Sequence, residues 1–80
     1  MKRYLIIIER AEANFSAYVP DVDGCVAVGD TVEETRASMK EALEFHFEGM
    51  AEDGDPIPEP SSIGEYVDVE VPESAKAKRA

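Results

Sequence analysis

Two side chains in this 80-residue chain are suited to nucleophilic or acid–base work, and each is the only one of its type. His46 would need a nucleophile or a second base within hydrogen-bond reach to act as a catalyst. Its neighbours Phe45 and Phe47 offer none, and Cys25 sits in a tight apolar strand context. One Cys and one His also fall short of the four ligands of a zinc site. His46 therefore reads as a packed structural histidine, and Cys25 as a small buried hydrophobe rather than a reactive thiol. No catalytic, metal or cofactor-binding residue is expected, and no cofactor.

The abundant chemistry is carboxylate. The chain holds 18 acidic and 8 basic residues, for a formal charge of −10. Lys76, Lys78 and Arg79 lie among the last five residues, so the body ahead of them sets 18 acids against Lys2, Arg3, Arg10, Arg36 and Lys40, a charge of −13. Phosphate binding draws its affinity from Lys and Arg, so this body should repel nucleic acid. It should attract a basic protein surface, most strongly at low salt.

The elements that must carry these groups follow from hydrophobic pattern and turn residues. Tyr4 to Ile8 is a short β-branched run that reads as a strand, with Tyr4, Ile6 and Ile8 on one side and Leu5 and Ile7 on the other. Both sides are apolar, so the strand needs cover on both faces. Ala11–Asn14 reads as a hairpin turn, Phe15–Val19 as a second strand, Asp21–Gly24 as a turn and Cys25–Val28 as a third strand. Thr31-Val-Glu-Glu34 is a capping-box pattern that opens a helix from about Val32 to about Asp53, with Gly54 as its stop. At about 100° per residue, Val32, Met39, Leu43, His46 and Met50 share its core face. Pro56, Pro58 and Pro60 impose an extended return. Ile63–Val71 alternates Val67, Val69 and Val71 against Tyr66, Asp68 and Glu70, the pattern of a strand with one face in the core. The expected fold is α+β, in the order β-β-β-α-β, an antiparallel sheet with one long helix packed on one face.

Placed on that helix, Phe45 lies about 140° from the centre of the core stripe. It is either covered by the Pro-rich return or presented to a partner. Glu34, Glu41, Glu48 and Glu52 border it. They form a solvated helix face or, with an exposed Phe45, an apolar anchor in an acidic field. These five residues are the candidate partner-binding site. Leu5 and Ile7 are candidates for self-association, because one helix covers only one face of a small sheet. A homodimer is expected.

The length fits one domain over residues 1–72, followed by a loose charged tail over 73–80. A single cysteine allows no internal disulfide, and the apolar run ended by Glu9 is too short for a signal peptide or a membrane span. A cytoplasmic location is the expectation.

The stretch from Phe15 to Glu34 contains an aromatic strand with Tyr18, then Pro20-Asp21, Gly24-Cys25, Gly29-Asp30-Thr31 and an acidic helix start. This combination resembles the HicB antitoxin family and its short single-domain relatives. Lys40–Glu44 and the Pro-rich Pro56–Pro60 continue the likeness, which spans roughly residues 3–71. Val22-Asp23 departs from the Leu-Pro that often precedes Gly-Cys in the family.

The resemblance implies a partial ribonuclease-H-like fold and a partner, a small basic HicA-type toxin that cleaves mRNA and whose catalytic surface the antitoxin occludes. A ribonuclease-H-type site would need carboxylates converging on metal ions. The first strand has none in its middle, Glu9 lies near its end, and Asp68 and Glu70 face water in the expected arrangement. The resemblance therefore implies a binding protein and not an enzyme. Full-length members usually carry a DNA-binding segment after the last strand. Here only Glu73–Ala80 follows, so direct DNA binding is not expected. The alternative is a stand-alone regulatory or ligand-binding module of the same fold without a toxin partner.

Overall fold

A computed structural model describes residues 1–74. The tail expected over 73–80 therefore lies, from Ala75 onward, outside the described residues. Strands β1 (Ile7–Arg10), β2 (Phe15–Val19) and β3 (Val22–Gly29) precede one helix, α1 (Val32–Glu52). The strands form an antiparallel meander in the order β1-β2-β3. The observed class is α+β, with α1 packed on one face of the sheet.

The first hairpin turns where Ala11–Asn14 predicts it, and Ala11 N–H donates to the Asn14 carbonyl at 2.8 Å. The ladder, however, runs from Ile7 to Arg10 rather than from Tyr4 to Ile8. Arg10 is still opposite Phe15, and its guanidinium lies 5.0 Å from the ring centroid. Charge does not end a strand while its backbone has a partner. The second turn is also displaced. Val19 pairs directly with Val22, leaving Pro20–Asp21 as the connection, and the register then slips so that Tyr18 pairs with Val26. The extra residues form a bulge at Gly24, whose φ of 78° suits a residue without a Cβ. The turn chemistry expected of Asp21–Gly24 is thus divided between a tight turn and a bulge.

Helix α1 begins as its sequence dictates. Glu34 N–H donates to Thr31 Oγ1 at 3.0 Å, and Asp30 N–H donates to the Glu34 carboxylate at 3.2 Å. At the other end Asp55 N–H reaches the Met50 carbonyl and Gly54 N–H the Ala51 carbonyl. With Gly54 at φ 73°, this is a Schellman closure. The core lies between α1 and the sheet. Ala17, Val19, Val22 and Cys25 meet Met39 and Leu43, with Tyr4, Ile6, Ile8 and Phe47 packed around them. Thr35 is buried there too, its hydroxyl donating to the Thr31 carbonyl at 2.7 Å. Gly29 makes this junction possible, because a Cβ at that position would meet Thr35 N at 2.8 Å.

After α1 the Pro-rich return crosses back beside β1, where the Tyr4 hydroxyl donates to the Pro58 carbonyl at 2.6 Å and Lys2 pairs with Glu59. Ile63–Val71, which alternates like a strand, has no ladder partner among the described residues: residues 61–74 are exposed throughout and carry no strand. A strand exists only where its backbone groups meet a neighbour, and here the segment leaves the body. The described residues extend 55 × 27 × 19 Å with a radius of gyration of 15.9 Å, against about 12 Å for a compact 80-residue domain.

Candidate partner interface

Helix α1 has three functionally distinct sides. The side against the sheet is apolar. The opposite side carries Glu34, Glu41, Phe45, Glu48 and Glu52, whose spacing keeps them within a narrow stripe at 100° per residue. All five are exposed, and Phe45 retains 78% of its accessible surface. The Pro-rich return does not cover it. Phe45 instead borders a shallow cleft of about 510 Å³ between β3 and α1, together with Val26. Val26 is exposed as well. An exposed aromatic ring thus stands in an acidic field. Glu34 is shared with the helix cap, whereas Glu41, Glu48 and Glu52 have no ionic partner among the described residues.

The third side faces the N-terminal residues that lead into β1. Here Arg36 and Lys40 join Lys2 and Arg3 around a cleft of about 760 Å³, floored by apolar residues that include Ile6, Leu43 and Phe47. Four of the five basic residues of the body therefore gather at one place. Hydrophobic periodicity along α1 does not assemble this group. The available signal was the spacing of Arg36 and Lys40, one helical turn apart, beside a strand opened by Lys2 and Arg3.

Leu5 and Ile7 lie on the sheet face turned away from α1, both half-buried. Ile7 pairs with Tyr18, and Tyr18 with Val26. With Val28, these residues give that face an apolar patch that α1 does not reach, and Tyr18, Val26 and Val28 are exposed within it. Leu5 is the exception, for it packs against Gly64, where a Cβ would lie 2.9 Å from Leu5 Cδ1.

The start of the C-terminal segment is tied down just before that contact. Both carboxylate oxygens of Asp21 accept from Ser61 and Ser62, whose N–H groups donate at 2.9 Å each and whose hydroxyls donate at 3.1 and 2.7 Å. These donors, the Ser62 and Ser61 backbone N–H groups foremost, hold the Asp21 carboxyl down to about 2.

The groups with potential chemistry stay apart. His46 is half-buried and meets Phe47 edge-on at 6.2 Å between ring centroids. Cys25 is buried against Met39, and burial pushes its thiol pKa up, away from the reactive thiolate. Glu9, Asp68 and Glu70 are exposed, and among the described residues no three His, Cys, Asp or Glu side chains cluster as a metal site. Nor is any described helix long and apolar enough to cross a membrane.

Residues 4–77 match the family model described as the HicB-like antitoxin of bacterial toxin–antitoxin systems. The chain is 40% identical over 76 residues to Antitoxin HicB 2 of Photorhabdus laumondii, covering 95% of this chain and 54% of that protein. It is 42% identical over 64 residues to an uncharacterized 14.9 kDa protein of Haemophilus phage HP1, covering 80% of this chain and 48% of that one. The chain thus spans about half the length of these two relatives. Among solved structures, a chain of the HicA3 and HicB3 toxin-antitoxin complex superposes with a TM-score of 0.66 at 33% identity, covering 75% of this chain and 70% of that one.

Proposed function

Because the chain belongs to the HicB-like antitoxin family, we propose that it binds a small, basic HicA-type toxin and neutralises it by covering the surface on which the toxin takes its RNA. The observation that carries this reading is the likeness to a chain solved in a HicA3–HicB3 complex. The physical support is the α1 stripe. Glu41, Glu48 and Glu52 supply an anionic field that favours a cationic ribonuclease over other surfaces. Phe45 supplies the apolar contact from which a protein interface draws most of its affinity. The protein acts by occlusion, in the cytoplasm, without catalysis and without a cofactor.

The test is co-expression with a HicA-type toxin, followed by titration of the purified pair. The wild type should relieve the toxin's growth arrest and co-purify with it. Phe45→Ala should weaken binding by about 30-fold, the 2 kcal/mol of a central aromatic anchor. The triple change Glu41→Gln, Glu48→Gln and Glu52→Gln should chiefly slow association. A toxin that still arrests growth and ignores the antitoxin in dilute buffer would refute the reading. Unchanged affinity in the Phe45 and triple-Gln variants would move the interface off α1.

A further inference from the structure

The C-terminal end of α1 concentrates negative charge. A helix ends with carbonyls aimed outward, and cations in the last turn stabilise that negative pole. The last turn of α1 has no basic residue. Glu52 and Asp53 stand there instead, and the turn at Gly54, with φ 73°, returns Asp55 to the cleft that Asp53 lines. Asp53 and Asp55 are exposed and make no ion pair among the described residues.

That cleft is the shallow one of about 510 Å³ between β3 and α1, and the rest of its lining is mostly apolar, Ala42, Phe45 and Met50 included. Gly49 lies in the lining too. Glycine weakens a helix interior relative to alanine, and neither the backbone nor the packing of this chain demands it there. Its φ is not positive, and a Cβ on it would come within 4 Å of no other element of the fold. The missing side chain keeps the cleft open where a larger residue would fill it.

We propose that this cleft receives the side chain of an arginine on a basic partner protein. The guanidinium lies over the Phe45 ring and pairs with Asp53 and Asp55, and the aliphatic stem runs along Ala42, Gly49 and Met50. The inference rests on the toxin-binding reading, since Phe45 belongs to both, and it names the group by which the cationic partner is recognised. Charge complementarity selects the occupant. An uncharged group would leave the two carboxylates and the helix pole without a counter-charge, and an anion would be repelled. Between the two basic side chains, arginine fits better. Its planar, weakly hydrated guanidinium stacks on an aromatic face and forks to carboxylate oxygens, whereas the lysine ammonium holds its water. Its stem covers apolar surface while the head stays with the carboxylates.

Two measurements on the full chain test this. In the first, N-acetylarginine amide is titrated into the isotope-labelled protein without toxin and followed by amide NMR. The wild type should bind it weakly, in the millimolar range, with shifts concentrated at Phe45, Gly49, Asp53 and Asp55. N-acetyllysine amide should bind more weakly, and N-acetylnorleucine amide, apolar and uncharged, should leave these amides unmoved. Gly49→Leu, which fills the cleft, and Asp53→Asn combined with Asp55→Asn should each abolish the response. Leucine at position 49 enters open space and is the better helix former, so circular dichroism should show undiminished helix. Glu65→Gln combined with Glu73→Gln, an equal change of charge outside the cleft, should keep the response. In the second measurement, Gly49→Leu should weaken binding of a HicA-type toxin by about 10-fold or more. Toxin affinity equal in the wild type and both cleft variants overturns the inference and leaves the toxin-binding reading standing. Shifts that are absent, that survive both variants, or that are blocked by a segment of the same chain already seated in the cleft also overturn it. A toxin that ignores the wild type, while the arginine amide still binds the cleft, supports the cleft and refutes the toxin-binding reading alone.

Discussion

At the scale of single residues, Asp21 does the most from a half-buried position. Four donors from Ser61 and Ser62 hold its carboxyl at about 2, below the ordinary 3.8. A depressed carboxylate stabilises the structure above its unfolded pKa, and that contribution is lost as pH falls through the folded value. The anchorage of the C-terminal segment should therefore hold at pH 4 and above and fail on acidification towards 2. An NMR titration should place the Asp21 midpoint near 2; a midpoint near 3.8 would mean that the serine contacts are not made in solution. Gly29 is the second such residue. A methyl group there would collide with the Thr35 backbone, which cannot swing aside as a side chain can. Gly29→Ala should cost about 1–3 kcal/mol by displacing β3 from the start of α1, read as a lower urea midpoint with unchanged slope. Cys25 should react with a thiol reagent slowly in the folded chain and quickly in denaturant, because it is buried against Met39.

At the scale of elements, α1 organises the molecule. Its start is fixed by Thr31 and Glu34 and its end by Gly54, so its three sides are set in rotation relative to the sheet. Thr31→Ala should remove about 1 kcal/mol of stability, a fall of about 4–8 °C in Tm for a domain of this size. Thermal unfolding followed at 222 nm measures it, and an unchanged Tm would show that the cap hydrogen bond does not contribute. Thr31→Ala alters no residue of the acidic stripe, so it should leave partner binding almost intact once the chain is folded. Phe45→Ala should do the reverse, weakening binding with Tm almost unchanged, since its ring is exposed. That double dissociation separates the positioning of the stripe from its use.

At the scale of the whole molecule, charge is partitioned rather than spread. The acidic stripe and the basic-rimmed cleft lie on different sides of α1. Toxin binding should weaken with salt, for the Debye length shrinks from about 10 Å at 0.1 M to about 3 Å at 1 M. Toxin association should slow steeply over that range, because steering of a basic partner depends on the field of the entire anionic body. Stopped-flow mixing at the two ionic strengths measures this; a rate that does not change with salt would argue against steering by the anionic body.

Local pattern was enough to define much of this protein. The periodicity of Val32–Asp53, the Thr31–Glu34 box and Gly54 gave α1 and its core face, because capping and amphipathicity act within one or two turns of the chain. The strand run Phe15–Val19 and the acidic stripe with Phe45 were legible for the same reason. The start of β1, the slipped register at Tyr18–Val19 and the bulge at Gly24 were not, because pairing depends on which backbone groups meet across strands. Ile63–Val71 makes the point most sharply: its alternation is that of a strand, yet a strand forms only where an edge is offered to it. Whether Phe45 is bare, whether Arg36 and Lys40 meet Lys2 and Arg3, and which edge stays open are matters of distance between residues remote in sequence. Only the packed tertiary structure sets those distances.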